Sequence, residues 1–280
     1  MSAPPPVPLS VPPATPPVSR PGSPLLGFGL DILLAASILL GLSLLCGLAW
    51  GLWRGFEVGM AVAREGGGAP DAAQLGAQLG QPGALAQMLI ALVSTGLAAL
   101  VLYFWRRPAS QAERTASHAA VRRASTWGWT LLVAAGVFAG SSLISWLGKQ
   151  LGIEPVPTNL PLMEQALAHY PVFLVVFAVF LAPAYEELLF RRVLFGRLWA
   201  AGRPWLGMAL SGAAFAFIHE IPGTTANGLP EVLQLWLVYG GMGVAFAWLY
   251  RRTGTLWAAI AAHTLNNAIA LTALVFFGLQ

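Results

Sequence analysis

The stretch of sequence that decides the fold is 170–191, which reads YPVFLVVFAVFLAPAYEELLFR. It begins as an uncharged apolar run and ends with two adjacent glutamates and an arginine. Such a run is typical of a membrane helix, and a carboxylate near the bilayer centre costs about 2.5–3.5 kcal/mol even on the lenient insertion scale. The sequence therefore predicts a membrane helix whose two carboxylates, Glu186 and Glu187, have a role that offsets this cost.

The composition of the whole chain also indicates a membrane protein. Of its 280 residues, 57% are hydrophobic and 9% are charged, whereas about a quarter of the residues in a soluble domain are charged. The mean hydropathy is +0.69. This composition excludes a water-soluble globule, because too few polar residues remain to cover its surface. The single cysteine, Cys46, excludes an intramolecular disulfide.

Uncharged stretches near or above the length of about 20 residues that crosses hydrocarbon predict the spans. Five are long, and two shorter runs end at a charged or ionisable residue where a helix can continue. The stretches are 32–53, 84–105, 124–148, 170–185, 204–218, 232–250 and 253–280. An open sheet edge cannot be satisfied in lipid, so we expect an all-α bundle of seven membrane helices, with eight as the alternative.

Two segments outside the predicted spans have biased composition. The first, 1–24, contains ten prolines and predicts a disordered cytoplasmic tail. The second, 66–83, contains the doubled tetrapeptide AQLG and predicts a flexible loop with at most one short interfacial turn. No chemistry is assigned to either segment.

The basic residues between the spans indicate orientation. They form short clusters between apolar runs, so the net charge of +4 does not indicate a nucleic-acid partner. With the N-terminus in the cytoplasm, only Arg54, Arg64 and Lys149 of the fifteen Lys and Arg residues lie outside. The positive-inside rule then predicts a cytoplasmic N-terminus and an external C-terminus. The expected location is the cytoplasmic membrane of a prokaryote.

Three of the predicted helices carry polar residues at a similar depth. At a rise of about 1.5 Å per residue, Glu186 and His219 lie roughly 21 and 22 Å above the cytoplasmic ends of their helices. On the last helix, His263 lies roughly 15 Å and Asn267 roughly 21 Å from the same side. We therefore expect helices that are not consecutive in sequence to share one site.

Helical spacing assigns these residues to faces. Glu187 and Arg191 are four residues apart in the orientation that favours an ion pair, whereas Glu186 is rotated by about 100°. This predicts a structural role for Glu187 and leaves Glu186 free. His263 and Asn267 are also four apart and project from one face, as a pair of hydrogen-bond donors would.

The ordered set of motifs resembles a known family, the CAAX-protease and bacteriocin-processing (CPBP, or Abi) intramembrane endopeptidases. The family pattern is E-E-x-x-x-R, then F-x-x-x-H, then H-x-x-x-N. It is met within 170–275 by Glu186, Glu187, Arg191, Phe215, His219, His263 and Asn267. The resemblance implies a catalytic membrane core in 166–280, preceded by three membrane helices and their loops in 25–165.

The resemblance also implies a role for each motif residue. Glu186 and His219 would activate water, since a carboxylate away from bulk water is a competent general base. His263 and Asn267 would donate hydrogen bonds to the oxyanion of the tetrahedral intermediate. Supporting roles fall to Glu187, Arg191 and Phe215. The expected partners are membrane lipid and a membrane-associated protein or peptide substrate, and no cofactor is preferred.

Other interpretations stay open at this point. An older view makes these enzymes metalloproteases, in which Glu186, His219 and His263 would bind a divalent metal such as zinc. The H-E-x-x-H signature fails because Gly223 stands four residues after His219, which favours the glutamate mechanism. Intramembrane Glu, His and Asn also mark ion paths, so a small transporter is an alternative, as is a non-catalytic membrane scaffold or immunity protein.

Overall fold

The structure is a computed structural model that describes residues 22–64 and 71–278. Nearly all of the predicted Pro-rich tail lies outside the described residues. Within them the chain forms helices and no strand. The ten helices are α1 (Pro24–Arg64), α2 (Ala72–Leu79), α3 (Ala84–Arg106), α4 (Gln111–Val121), α5 (Ala124–Gln150), α6 (Leu160–His169), α7 (Pro171–Ala200), α8 (Pro204–His219), α9 (Leu229–Thr253) and α10 (Leu256–Phe277).

Six of the described helices, α1, α3, α5, α7, α9 and α10, are long and apolar enough to cross a membrane. The seventh predicted span, α8, has 16 residues and is therefore about 24 Å long, less than the hydrocarbon thickness of about 30 Å. The prediction of a polytopic helical bundle is confirmed. The count of seven holds only when the short α8 is included.

Short helices outside the spans correct the prediction for 66–83. Its second half is not a flexible loop, because Asp71 caps the N-terminus of α2 in a capping box with Gln74. The same device begins α4, where Ser110 and Glu113 cap each other's backbone. A capping box satisfies two backbone donors that would otherwise be unpaired at a helix start. Residues 66–70 of this predicted loop lie outside the described residues.

Buried charges attach the outer helices to the bundle. The Asp31 carboxylate of α1 is fully buried and accepts from Arg106 of α3 at 2.8 Å and from Arg197 of α7 at 2.6 Å. Arg192 of α7 makes a bidentate pair with Glu113 of α4, at 3.0 and 3.1 Å. Arg192 and Arg197 therefore fix the C-terminal half of α7 against α4 and α1.

Helix α7 lies at the centre of the bundle and carries the Glu186–Glu187 pair. It is not a regular α-helix, since two π-helical stretches, Val176–Leu181 and Leu188–Phe195, flank that pair. The buried residues of the second stretch pack in two hydrophobic clusters. Phe195 belongs to one cluster, and Leu189, Phe190, Val193 and Leu194 belong to the other. π-helical turns occur often at functional sites because they re-aim the side chains around them.

Glycines allow α8 and α9 to cross in backbone contact. A Cβ on Gly243 would lie 2.7 Å from the Cα of Gly212, and one on Gly212 would lie 2.9 Å from the carbonyl oxygen of Gly240. Real Cβ atoms do not approach backbone this closely, so side chains here would separate the helices. Small residues serve this purpose widely in membrane bundles. The crossing brings Phe215 and His219 of α8 towards the centre.

The crossing predicts a matched pair of glycine effects. We expect Gly243→Ala to lower the melting temperature in detergent by several degrees, because its methyl group would overlap the α8 backbone. At Gly241, two residues earlier on α9, an added Cβ would have no atom within 4 Å. Gly241→Ala should therefore leave the melting temperature unchanged or raise it slightly. Equal melting temperatures for the two variants would show that the close crossing is not required.

Candidate active site

The carboxylate of Glu186 lies between two imidazoles from different helices. Its Oε2 atom is 3.8 Å from Nε2 of His219 on α8 and 3.8 Å from Nε2 of His263 on α10. These distances exceed those of direct hydrogen bonds but allow a small group, such as a water, to contact both atoms of either pair. The side chains of Glu186 and His219 are 16% and 21% exposed, so a small molecule can reach them.

Both imidazoles are oriented through their other ring nitrogen. Nδ1 of His219 is 2.8 Å from the carbonyl oxygen of Phe215, one turn earlier on α8. Nδ1 of His263 is 2.9 Å from Oε1 of Glu187. Because both partners are acceptors, each Nδ1 donates, and each Nε2 atom faces Glu186. The two histidines therefore have defined tautomers and ring directions.

Glu187 joins two helices through one buried carboxylate. Its Oε2 atom is 2.9 Å from Nε of Arg191, and both side chains are fully buried. Its Oε1 atom accepts from His263. The ion pair expected from the spacing of Glu187 and Arg191 is present, and the contact with His263 is one that the sequence spacing did not indicate.

Aromatic rings enclose the Arg191 guanidinium. Its Cζ atom lies 4.6 Å from the centroid of the Phe215 ring, 5.5 Å from that of Phe246 and 5.8 Å from that of Phe190. Cation–π attraction is stronger in a dry environment, where the charge is not shielded by water. The Phe215 ring also contacts His219, at 4.2 Å between centroids. Phe215 therefore packs between the buried cation and the water-facing histidine.

Asn267 contacts a different part of α7. Its side-chain Nδ2 donates to the carbonyl oxygen of Ala178 at 2.9 Å. Its Oδ1 faces Nδ2 of Asn266 at 3.4 Å, which fixes the orientation of the amide. The structure thus brings Glu186, His219 and His263 together and gives Asn267 a partner in the π-helical turn above them.

Glu220 anchors the loop that follows His219. Its fully buried carboxylate accepts hydrogen bonds from Thr158, Thr225 and Asn227, and its carbonyl oxygen accepts from the indole of Trp236 at 2.8 Å. Burial raises the pKa of the Glu220 carboxyl, but the hydrogen bonds from Thr158, Asn227 and Thr225 outweigh it and hold that pKa below its ordinary value. The sequence did not indicate this role, because Thr158 comes from a distant loop and Thr225 and Asn227 lie in the irregular segment after Glu220.

The chemistry of the Glu186 group permits metal ligation. One carboxylate and two imidazoles are a known catalytic zinc set. Within residues 22–64 and 71–278, however, no three His, Cys, Asp or Glu side chains are arranged to hold an ion. We therefore derive no step through a metal.

Comparison with known proteins shows that the motif helices are similar to a known family. Residues 168–269 match the family model described as type II CAAX prenyl endopeptidase Rce1-like, and this match confirms the resemblance drawn from the motifs. The apolar helices indicate an integral membrane protein, and its residues 168–269 are similar to the Rce1-like family.

A curated relative agrees with this class. The Bacillus subtilis (strain 168) protein described as "Putative membrane peptidase YdiL" is 27% identical over 120 residues. The alignment covers 43% of this chain and 44% of that protein, so the chain matches less than half of the relative's length. No solved structure matches the chain at a significant level.

The buried ion pair predicts different stability effects for the two adjacent glutamates. Glu187→Gln should lower the melting temperature in detergent strongly, because breaking a buried pair and stranding Arg191 costs about 3–5 kcal/mol. Glu186→Gln should leave it nearly unchanged, since Glu186 is partly exposed and makes no close ion pair. Equal melting temperatures for the two variants would contradict the assigned roles.

The Glu220 contacts predict a pH-dependent contribution to stability. The folded-state pKa lies below the ordinary value of 4.5, so the contribution is complete above that value and is lost as the pH falls through the folded pKa. Glu220→Gln should melt several degrees below wild type at pH 7, and this gap should narrow below about pH 4.5. A gap that is constant with pH would show that the charge of Glu220 is not involved.

Proposed function

We propose that this protein is an intramembrane endopeptidase that hydrolyses a peptide bond of a membrane-associated protein or peptide. The observation that carries the proposal is the position of the Glu186 carboxylate between the Nε2 atoms of His219 and His263, inside a helical bundle. The Rce1-like match over 168–269 supports peptide-bond hydrolysis as the reaction. The substrate class follows from the location of the site among membrane helices.

Charge balance assigns protonation states to the two histidines. The buried group contains two carboxylates, Glu186 and Glu187, and one guanidinium, Arg191. An isolated net charge in a low-dielectric interior is costly, so one added proton stabilises the group. His263 is the better place for it, because its Nδ1 already donates to the buried Glu187 carboxylate. His219 then stays neutral, with a lone pair on Nε2.

These states suit the activation of water. Glu186 Oε2 and His219 Nε2 are both acceptors, so a water between them donates one hydrogen to each and presents its oxygen lone pair to the substrate. The water oxygen forms a bond to the peptide carbonyl carbon as Glu186 takes its proton. The C–N bond then breaks, and that proton passes to the leaving amine. Glu186 therefore serves first as base and then as acid.

His263 is placed to stabilise the charge that develops on the substrate. As an imidazolium it has a second N–H, on Nε2, which points to the side of the site where Glu186 lies. Donation from this N–H to the tetrahedral oxyanion is stronger than donation to a neutral carbonyl oxygen, so it lowers the barrier. The family resemblance pairs Asn267 with His263 in this role.

A purified-protein assay tests the proposal. Cleavage of a membrane-peptide library, containing prenylated and signal-like members, should fall by at least about 10²-fold in Glu186→Gln, as expected for a lost general base. Glu164→Gln is the matched control, since Glu164 is an exposed carboxylate on α6. Exhaustive chelation should leave cleavage unchanged. Wild-type activity in Glu186→Gln would overturn the proposal, and chelator-sensitive cleavage restored by zinc would replace it with the metal-dependent mechanism.

A further inference from the structure

Proline leaves one carbonyl of α7 without a helical donor. In the π-helical stretch Val176–Leu181, the backbone N–H of Ala182 donates to the carbonyl oxygen of Phe177, five residues earlier. The next donor in this register would be residue 183, which would pair with Ala178. Residue 183 is proline and has no N–H. The carbonyl oxygen of Ala178 is therefore left without its partner from within the helix.

An unpaired carbonyl among membrane helices needs another donor, because little water is present to replace it. Asn267 of α10 supplies that donor, with its Nδ2 at 2.9 Å from the Ala178 oxygen. Asn266 lies next to the Asn267 amide oxygen, so the amide turns its NH₂ group towards α7. The Asn267 side chain thus completes the backbone hydrogen bonding of the turn just before Glu186.

From this contact we infer that Asn267 is a positioning residue, which sets the direction of Glu186 by capping the Ala178 carbonyl opposite Pro183. The inference deepens the proposed function and rests on it. It gives Asn267 a role through the helix rather than the direct contact with the oxyanion that the motif suggests.

The register of the helix explains how this contact reaches Glu186. Without Asn267, the Ala178 carbonyl oxygen lacks a donor, and this cost favours a shift of the Ala182 N–H from the Phe177 oxygen to the Ala178 oxygen. The shift converts the π turn to an α turn. Removing one residue from a turn rotates the following side chains by about 100°. Glu186 follows only four residues after Ala182, so its carboxylate would turn away from His219 and His263.

A double-mutant cycle between Asn267 and Pro183 tests the inference. Asn267→Ala should lower kcat about tenfold or more with KM little changed, since the unsatisfied Ala178 carbonyl favours the position in which Glu186 is turned away. Pro183→Ala restores a backbone N–H in this turn and should stay within about threefold of wild type. The combined variant should then have nearly the activity of Pro183→Ala alone, because the carbonyl no longer needs Asn267.

Two further variants make the test specific. Asn267→Asp keeps the size of the side chain but, when ionised, cannot donate to a carbonyl, so it should be impaired like Asn267→Ala and rescued less well by Pro183→Ala. Thr272→Ala is the control, because the exposed Thr272 hydroxyl bonds only within α10, to Ala268. It should leave kcat and melting temperature unchanged. If a variant is inactive, the cycle is measured with melting temperatures instead. The decrease in melting temperature caused by Asn267→Ala should be smaller in the Pro183→Ala background.

The outcomes separate the inference from the proposed function. If the combined variant is as impaired as Asn267→Ala, or if Asn267→Ala has no effect, the positioning role is wrong. Asn267→Ala could also lower activity without changing the melting temperature and without relief by Pro183→Ala. That result would show that Asn267 contacts the substrate directly instead. Failure of the proposed function would appear elsewhere, as wild-type activity in Glu186→Gln.

Discussion

The buried carboxylate of Glu187 is the contact on which the candidate site depends. It forms an ion pair with Arg191 within α7 and accepts a hydrogen bond from His263 of α10, so it neutralises a buried guanidinium and orients an imidazole at the same time. A carboxylate in this environment is costly unless its charge is matched and its oxygens are hydrogen-bonded. Arg191 matches the charge of Glu187, and His263 donates to its Oε1 atom. The adjacent Glu186 is left without a close partner and directed at the two Nε2 atoms.

Helix α7 departs from regular α-helical geometry on both sides of this contact. The π-helical stretches before and after the glutamates change which side chains face the centre. Irregular backbone in a membrane requires substitute hydrogen-bond partners, and these come from neighbouring helices: Asn267 donates to the carbonyl of Ala178, and the Ser211 hydroxyl donates to that of Phe190 at 2.9 Å. The site is therefore built from backbone distortion as well as from side chains.

Much of this architecture could be predicted from local patterns. Uncharged runs located the helices, and the spacing of four between Glu187 and Arg191 indicated their ion pair. Depth counting indicated that Glu186, His219 and His263 share a layer, and their side chains do meet. Such inferences succeed because helical rise and rotation are constants that connect sequence to position.

The remaining features depend on contacts between distant segments. Asp31 directly precedes the predicted span 32–53, a position that gives no sign of its ion pairs with two arginines from other helices. The loop partners of Glu220 and the contact of Glu187 with His263 have no periodic signal in the sequence. Pro183 in the sequence indicates an irregular helix before Glu186. It does not indicate that Asn267 of another helix pairs with the carbonyl group that the proline leaves free.

The origin of the oxygen that enters the product tests the central claim most directly. In a single turnover in H₂¹⁸O, water activated by Glu186 and His219 should place ¹⁸O in the new carboxylate of the cleaved peptide, with none in Glu186. An unlabelled product carboxylate together with ¹⁸O in Glu186 would show that the glutamate attacks the peptide bond itself, and would contradict the assignment of Glu186 as a general base.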